Sequence, residues 1–317
     1  MNIDSEVAAL LEQLGQGPSF ETMSVSEARA FFTTMNSIRP PGSAAVGVRD
    51  RSIDTPAGKL NLRIYRPPST PTAVIVYFHG GGWILGDLES MDGPLRDFAL
   101  MTDACVVSVD YRLAPEHPFP AAVFDARAAL EWAAAERAEL ADRSAPLLVA
   151  GDSAGGNLAA VVAIMARDAG GPELCGQLLF YPVTDADFST GSYIEHAEGK
   201  FLTRAMMMWF WDHYVPDGAR RKDFRAAPLR AEDASRLPPI LVQTAEHDPL
   251  RDEAEAYAML LARAGCNVSI QRRQGLIHGY LGMAAVSASA RAAIADAVHW
   301  VRSTVALARE SKGNDVS

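Results

Sequence analysis

Short, continuously apolar runs recur along this chain at residues 73–78, 105–109, 146–150, 177–181, 240–244 and 268–272. A strand with one wet face alternates apolar and polar residues. A strand covered on both faces is apolar throughout, as in a parallel sheet wrapped by helices. Ala-rich stretches of helical length lie between several of the runs, at 124–141, 157–168 and 254–264. Strand and helix in alternation predict an α/β fold on a mostly parallel sheet, with right-handed crossovers placing helices on both faces. Ahead of these runs, residues 49–54 and 59–65 alternate around Thr55-Pro56-Ala57-Gly58, which predicts a hairpin.

Two segments stand outside the alternation. At the N-terminus, Val7, Leu10, Leu11 and Leu14 recur at one-face helical spacing, and a second helix is predicted over 24–38 with Ser26 as its cap. Arg39-Pro40-Pro41-Gly42 ends it. Between the runs at 177 and 240 lie about sixty residues, too many for one crossover. They include 201–214, with Met206, Met207, Met208, Trp209, Phe210, Trp211 and Tyr214. Such a cluster packs helix on helix, and it also suits an adaptable apolar wall above a pocket. The expected organisation is N-terminal cap helices at 1–48, a first core part at 49–184, a cap insertion at 185–228 and a second core part at 229–317.

Composition narrows the function. The 317 residues are 49% hydrophobic and 21% charged, so the chain is globular and long enough to enclose a pocket. A formal net charge of −10 repels nucleic acid, so no nucleic-acid partner is expected. The densest basic group, Arg220, Arg221, Lys222 and Arg225, is interrupted by Asp217 and Asp223 and reads as solvated surface. No apolar run approaches the ~20 residues of a membrane span. The start, Met1-Asn2-Ile3-Asp4-Ser5-Glu6, lacks the pattern of an export signal. Cys105, Cys175 and Cys266 are far apart and odd in number, which points to the reducing cytoplasm. With no HExxH pattern and no Cys/His cluster, no metal is expected.

Gly151-Asp152-Ser153-Ala154-Gly155-Gly156 follows one apolar run and opens a helical one. An ordinary Gly-rich turn would look the same in isolation. Strand before and helix after make it the context of a nucleophile elbow, with Ser153 raised above the sheet and the helix N-terminus favouring negative charge. His79-Gly80-Gly81-Gly82-Trp83 follows another run. Three glycines in a row cost conformational entropy, and they make sense where backbone N–H groups converge on an anion. Its spacing fits neither phosphate-loop pattern, GxGxxG or GxxxxGK[ST]. The N–H groups of Gly80, Gly81 and Ala154 are therefore assigned as an oxyanion hole, each donor typically worth about 3 kcal/mol. His79 is expected to brace its loop.

A serine nucleophile in this architecture is followed in the chain by its acid and then its base. Of the later histidines, His278 sits in a turn after the last strand, His196 and His213 fall in the insertion, and His299 lies in a C-terminal helix. His247 precedes Asp248 and breaks the order. His278 is thus the expected base. Asp248 is the expected acid, with Glu246 the next candidate at the same strand end. Asp252 and Glu253 are expected to open the following helix.

Taken together, these residues resemble the hormone-sensitive-lipase-like α/β-hydrolases, the bacterial family IV carboxylesterases. The likeness runs from about Leu60 to the last helix. It rests on His79-Gly80-Gly81-Gly82-Trp83, Tyr111-Arg112-Leu113-Ala114-Pro115-Glu116, the Gly151–Gly156 segment, Asp248-Pro249-Leu250-Arg251-Asp252-Glu253 and His278-Gly279. The chain departs from the family pattern at His247, where Tyr is common, and at Tyr280, where Phe is common. The resemblance implies an eight-stranded, mostly parallel α/β-hydrolase sheet under a helical cap. It implies Ser153, Asp248 and His278 as a triad, with Tyr111–Glu116 bracing the site. It further implies hydrolysis of short-acyl esters by water through an acyl-enzyme, without a cofactor, and a homodimer. An amidase or formamidase with the same triad, and a non-catalytic ligand-binding relative, are the alternative readings. Trp83, Leu85, Trp209 and Phe210 are the candidate walls of the substrate pocket.

Overall fold

The computed structural model describes residues 3–14, 17 and 19–314. Leu14, counted above in the apolar stripe, is described in its backbone alone, and Met1 and Asn2 lie outside the described residues. Eight strands form one sheet: β1 (Gly47–Thr55), β2 (Gly58–Arg66), β3 (Val74–Phe78), β4 (Cys105–Asp110), β5 (Leu147–Asp152), β6 (Gly176–Phe180), β7 (Ile240–His247) and β8 (Val268–Ile277). Their spatial order is β1-β2-β4-β3-β5-β6-β7-β8. The predicted hairpin β1–β2 is antiparallel, β2 pairs antiparallel with β4, and every later pair is parallel.

The strands are apolar throughout because helices cover both faces. In β3, Val74, Val76 and Phe78 face one core with Val107 and Val149, while Ile75 and Tyr77 face the other with Val106, Leu148 and Leu178. On the first side pack α4 (Ala121–Ala135), α6 (Ala154–Ala169) and α9 (Arg251–Arg263). On the second pack α3 (Asp92–Thr102) and α10 (Ala288–Asn314). The helical reading of 124–141 divides, with a separate turn α5 (Arg137–Leu140).

The remaining helices are α1 (Ser5–Leu14), α2 (Val25–Ser37), α7 (Gly191–Glu195) and α8 (Arg204–Tyr214). The cap of α2 is Ser24, two residues before the expected Ser26. The Ser24 side chain accepts from the Glu27 N–H, while the Glu27 carboxylate accepts from the Ser24 N–H, so two orphan donors are satisfied reciprocally. Arg29 then ties α2 to the core. Its guanidinium donates to the Ile84 and Ala114 carbonyls at 2.9 Å and pairs with both oxygens of Glu116 at 2.7 Å. Trp211 and Tyr214 of α8 are fully buried against Trp83. Among the described residues, no helix is long and apolar enough to cross a membrane.

Candidate active site

The geometry starts at the C-terminal end of β5. Ser153 sits at φ 56° and ψ −119°, a backbone conformation costing on the order of 1–3 kcal/mol for a residue with a Cβ. Strand and helix approach so closely there that a Cβ on Gly151 would fall 2.7 Å from the Phe78 carbonyl oxygen, and one on Gly155 would fall 2.5 Å from the His79 oxygen. Crowding on both flanks holds the strained turn in place.

His278 follows β8, where Gly279 at φ +79° turns the chain. Its Nε2 lies 2.9 Å from the Ser153 Oγ and its Nδ1 lies 2.7 Å from Asp248 Oδ2. The other oxygen of Asp248 accepts the Leu250 N–H at 2.9 Å, so both carboxylate oxygens are spent on orientation. Asp248 is fully buried, and Ser153 and His278 are nearly so. A carboxylate at Nδ1 fixes the proton on that nitrogen and leaves Nε2 bare to accept from the serine hydroxyl. Tyr181 packs edge-on against the imidazole, with ring centroids 4.6 Å apart. The structure thus brings together the three side chains the sequence singled out, from three strand ends.

The glycine loop is arranged differently from the expectation. The Gly80 N–H donates to Asp152 Oδ1 at 3.0 Å, so it is already engaged and not free for an oxyanion. The Asp152 carboxyl also accepts from the Tyr77 hydroxyl at 2.8 Å. Burial pushes that carboxyl up, and the two donors pull it partly back. The N–H groups of Gly81, Gly82 and Ala154 have no hydrogen-bond acceptor among the described residues. Gly81 and Gly82 have φ of +111° and +61°, and a Cβ on Gly82 would collide with the Phe210 ring. His79 does brace the loop: its ring stacks on Tyr111 at 4.3 Å, and the Tyr111 hydroxyl donates to the His79 carbonyl at 2.7 Å.

Ser153 opens into a cavity of ≈ 210 Å³ with Leu10, Phe32, Met35, Leu85, Met206 and Phe210 among its walls. Leu85 and Phe210 were expected there. Trp83 and Trp209 do not line it. Trp83 is fully buried and stacked on Tyr214 at 4.1 Å, and Trp209 packs against His213 and Phe210.

The other candidates have structural partners. Glu246 accepts from the Gly275 N–H and not from His278. His196 and His247 lie edge to face at 5.5 Å, and burial holds both imidazoles below their ordinary value. His299 lies on an exposed face of α10.

By residue type alone, Asp252 and Glu253 open a helix and Arg251 has no signalled role. All three also fasten the segment that carries Asp248. Arg251 donates to the Glu246 carbonyl at 3.0 Å, Asp252 accepts the Ser192 N–H from α7, and Glu253 accepts the Thr184 N–H at 2.7 Å. Their clustering directly after Asp248 was the available signal.

Glu253 gives a pH prediction. It is buried, one of its oxygens has no partner among the described residues, and Tyr193 lies beside it. Burial holds its carboxyl well above the usual value. A raised acid contributes stability below its unfolded pKa and loses it as pH rises through the folded one. Glu253→Gln keeps an acceptor for the Thr184 and Asp185 N–H groups and does not titrate. Its melting temperature relative to the unaltered protein should therefore climb between pH 5 and 8, by on the order of 2 °C or more. A thermal-denaturation series across that range would overturn the account if the difference stayed flat or fell.

Comparison with known proteins gives concordant results. The family described as the alpha/beta hydrolase fold matches residues 75–282. Esterase LipI of Mycobacterium tuberculosis is 45% identical over 253 residues, covering 78% of this chain and 79% of that one. Carboxylesterase NlhH of the same species is 46% identical over 233 residues, covering 72% and 73%. The crystal structure of a thermostable esterase from Pseudomonas putida superposes with a TM-score of 0.92 at 40% identity, covering 96% of this chain and 98% of that one.

Proposed function

This chain belongs to the α/β-hydrolase family and is a carboxylesterase, and from that premise we propose that it hydrolyses short-acyl esters through Ser153, His278 and Asp248. The observation that carries the reading is the relay Ser153 Oγ–His278 Nε2–Asp248, at 2.9 and 2.7 Å. Ser153 attacks the ester carbonyl carbon as Nε2 takes its proton. The carbonyl π pair moves to oxygen, where the free N–H groups of Gly81, Gly82 and Ala154 receive it. The intermediate collapses, the alcohol leaves with the proton from Nε2, and an acyl-serine remains. Water then adds by the same route and releases the acid. Asp248 accepts from Nδ1 throughout and stabilises the imidazolium.

The helices of residues 1–48 and the insertion 185–228 form the proposed cap. Leu10, Phe32 and Met35 from the first, with Phe201, Met206 and Phe210 from the second, wall the cavity above Ser153. A space of ≈ 210 Å³ suits a small ester better than a long acyl chain. A series of p-nitrophenyl esters from acetate to decanoate tests this. kcat/KM should fall by at least about tenfold between the short and long ends, since each well-fitted methylene carries a discrimination of that order. Rates rising steadily to decanoate would overturn the short-acyl reading.

A further inference from the structure

The cavity above Ser153 has a larger neighbour. The second space, of ≈ 460 Å³, lies on the α3 and α10 side, with apolar walls that include Leu95, Phe98, Met101, Phe180 and Ile294. The two cavities share Arg39, Pro40, Met91, Leu281, Gly282 and Ala285. Of these, only Arg39 has a long, charged side chain.

That side chain is held on two sides. Nη1 donates to the Ser90 carbonyl at 2.7 Å and touches the Met91 sulfur at 3.6 Å. Opposite, the guanidinium lies against Gly282 so closely that an added Cβ there would be 2.8 Å from Cζ. A side chain at 282 would expel it. Among the described residues, no carboxylate lies within ion-pair distance of Arg39.

We propose that Arg39 is a specificity-determining wall, which separates the catalytic cavity from the apolar second cavity and so limits the length of the ester's aliphatic arm. The proposal rests on the reading that esters are cleaved at Ser153. A chain advancing past this point meets the length of a side chain wedged between the Ser90 carbonyl and the Gly282 backbone, and that bulk opposes entry. Removing the wall merges two spaces into one bowl that a long chain can fill.

The test uses p-nitrophenyl acylates and n-alkyl acetates of rising length. Arg39→Ala should raise the kcat/KM ratio of long to short substrates by at least about tenfold in one series. Arg39→Met loses the same hydrogen bond but keeps the length, and should retain the unaltered profile. Ala295→Trp places an indole in the second cavity from the surface of α10. In the Arg39→Ala background it should abolish the long-chain gain, and alone it should change nothing. An unchanged profile in Arg39→Ala overturns the proposal, as does an equal shift in Arg39→Ala and Arg39→Met. A selective loss of long-chain activity in Ala295→Trp alone also overturns it, and that arm does not depend on the folding of any Arg39 variant. Failure of the underlying reading is separate: it would appear as full ester turnover after loss of the Ser153 hydroxyl.

Discussion

Ser153→Ala is expected to lower kcat on p-nitrophenyl acetate by about 10⁴-fold or more while leaving the melting temperature nearly unchanged. The hydroxyl makes one side-chain contact that the alanine loses, the 2.9 Å bond to His278. Alanine keeps the Cβ, and thus the same backbone strain at φ 56°. The fold therefore changes little, while the atom proposed to form the covalent bond disappears. Residual catalysis from binding and the remaining N–H donors would set the floor. An organophosphate that labels one equivalent of the unaltered protein and none of the variant would tie the loss to this oxygen. Activity retained above about one hundredth would remove Ser153 from its proposed role.

The sheet was readable because its strands are covered twice. Continuous apolarity at 73–78, 105–109 and 146–150 follows directly from helices on both faces. α3 escaped notice because Gly93 and Pro94 stand at its start and imitate a turn. Proline in a first helical turn forfeits no intrahelical bond, so the same residues that punctuate a loop are tolerated there. Ser24 and Ser26 are both acceptable caps by type. What decided between them was Glu27, three residues after Ser24 and able to reach back.

Site residues divided along similar lines. Chain order and strand-end position singled out Ser153, Asp248 and His278. The donors did not follow as readily. The glycine run announced that backbone N–H groups were wanted, but the sequence did not reveal that Asp152 would turn back and take the one on Gly80. Trp83 and Trp209 were plausible walls by composition alone. A residue at φ 61°, as Trp83 is, directs its side chain away from the path its neighbours suggest, and this one enters the α8 interface. Arg39 carried no motif. Its meaning depends on Gly282, which lies far along the chain and has no side chain to signal the contact.

Gly155→Ala should be the most damaging small substitution at the elbow, destabilising the fold by about 3–5 kcal/mol or preventing it from accumulating as soluble protein. Sterics and backbone conformation separate at this position. Gly155 lies in the first turn of α6 with ordinary helical geometry, so alanine there carries no torsional penalty. Its methyl would instead enter the space of the Phe78 and His79 carbonyls at the end of β3. Neither carbonyl belongs to a flexible side chain, so relief requires separating α6 from the sheet at the point where Ser153 is presented. Gly170 supplies the converse case. It ends α6 at φ +75° with nothing within 4 Å of an added Cβ, so Gly170→Ala meets strain without a clash and should cost only about 1 kcal/mol. Denaturant unfolding of the two variants, with circular dichroism as the readout, separates the contributions. Equal destabilisation would mean that crowding between strand and helix does not hold the serine turn. A large difference, accompanied in Gly155→Ala by loss of labelling at Ser153 in whatever fraction remains folded, would tie that close approach to the reactivity of the site.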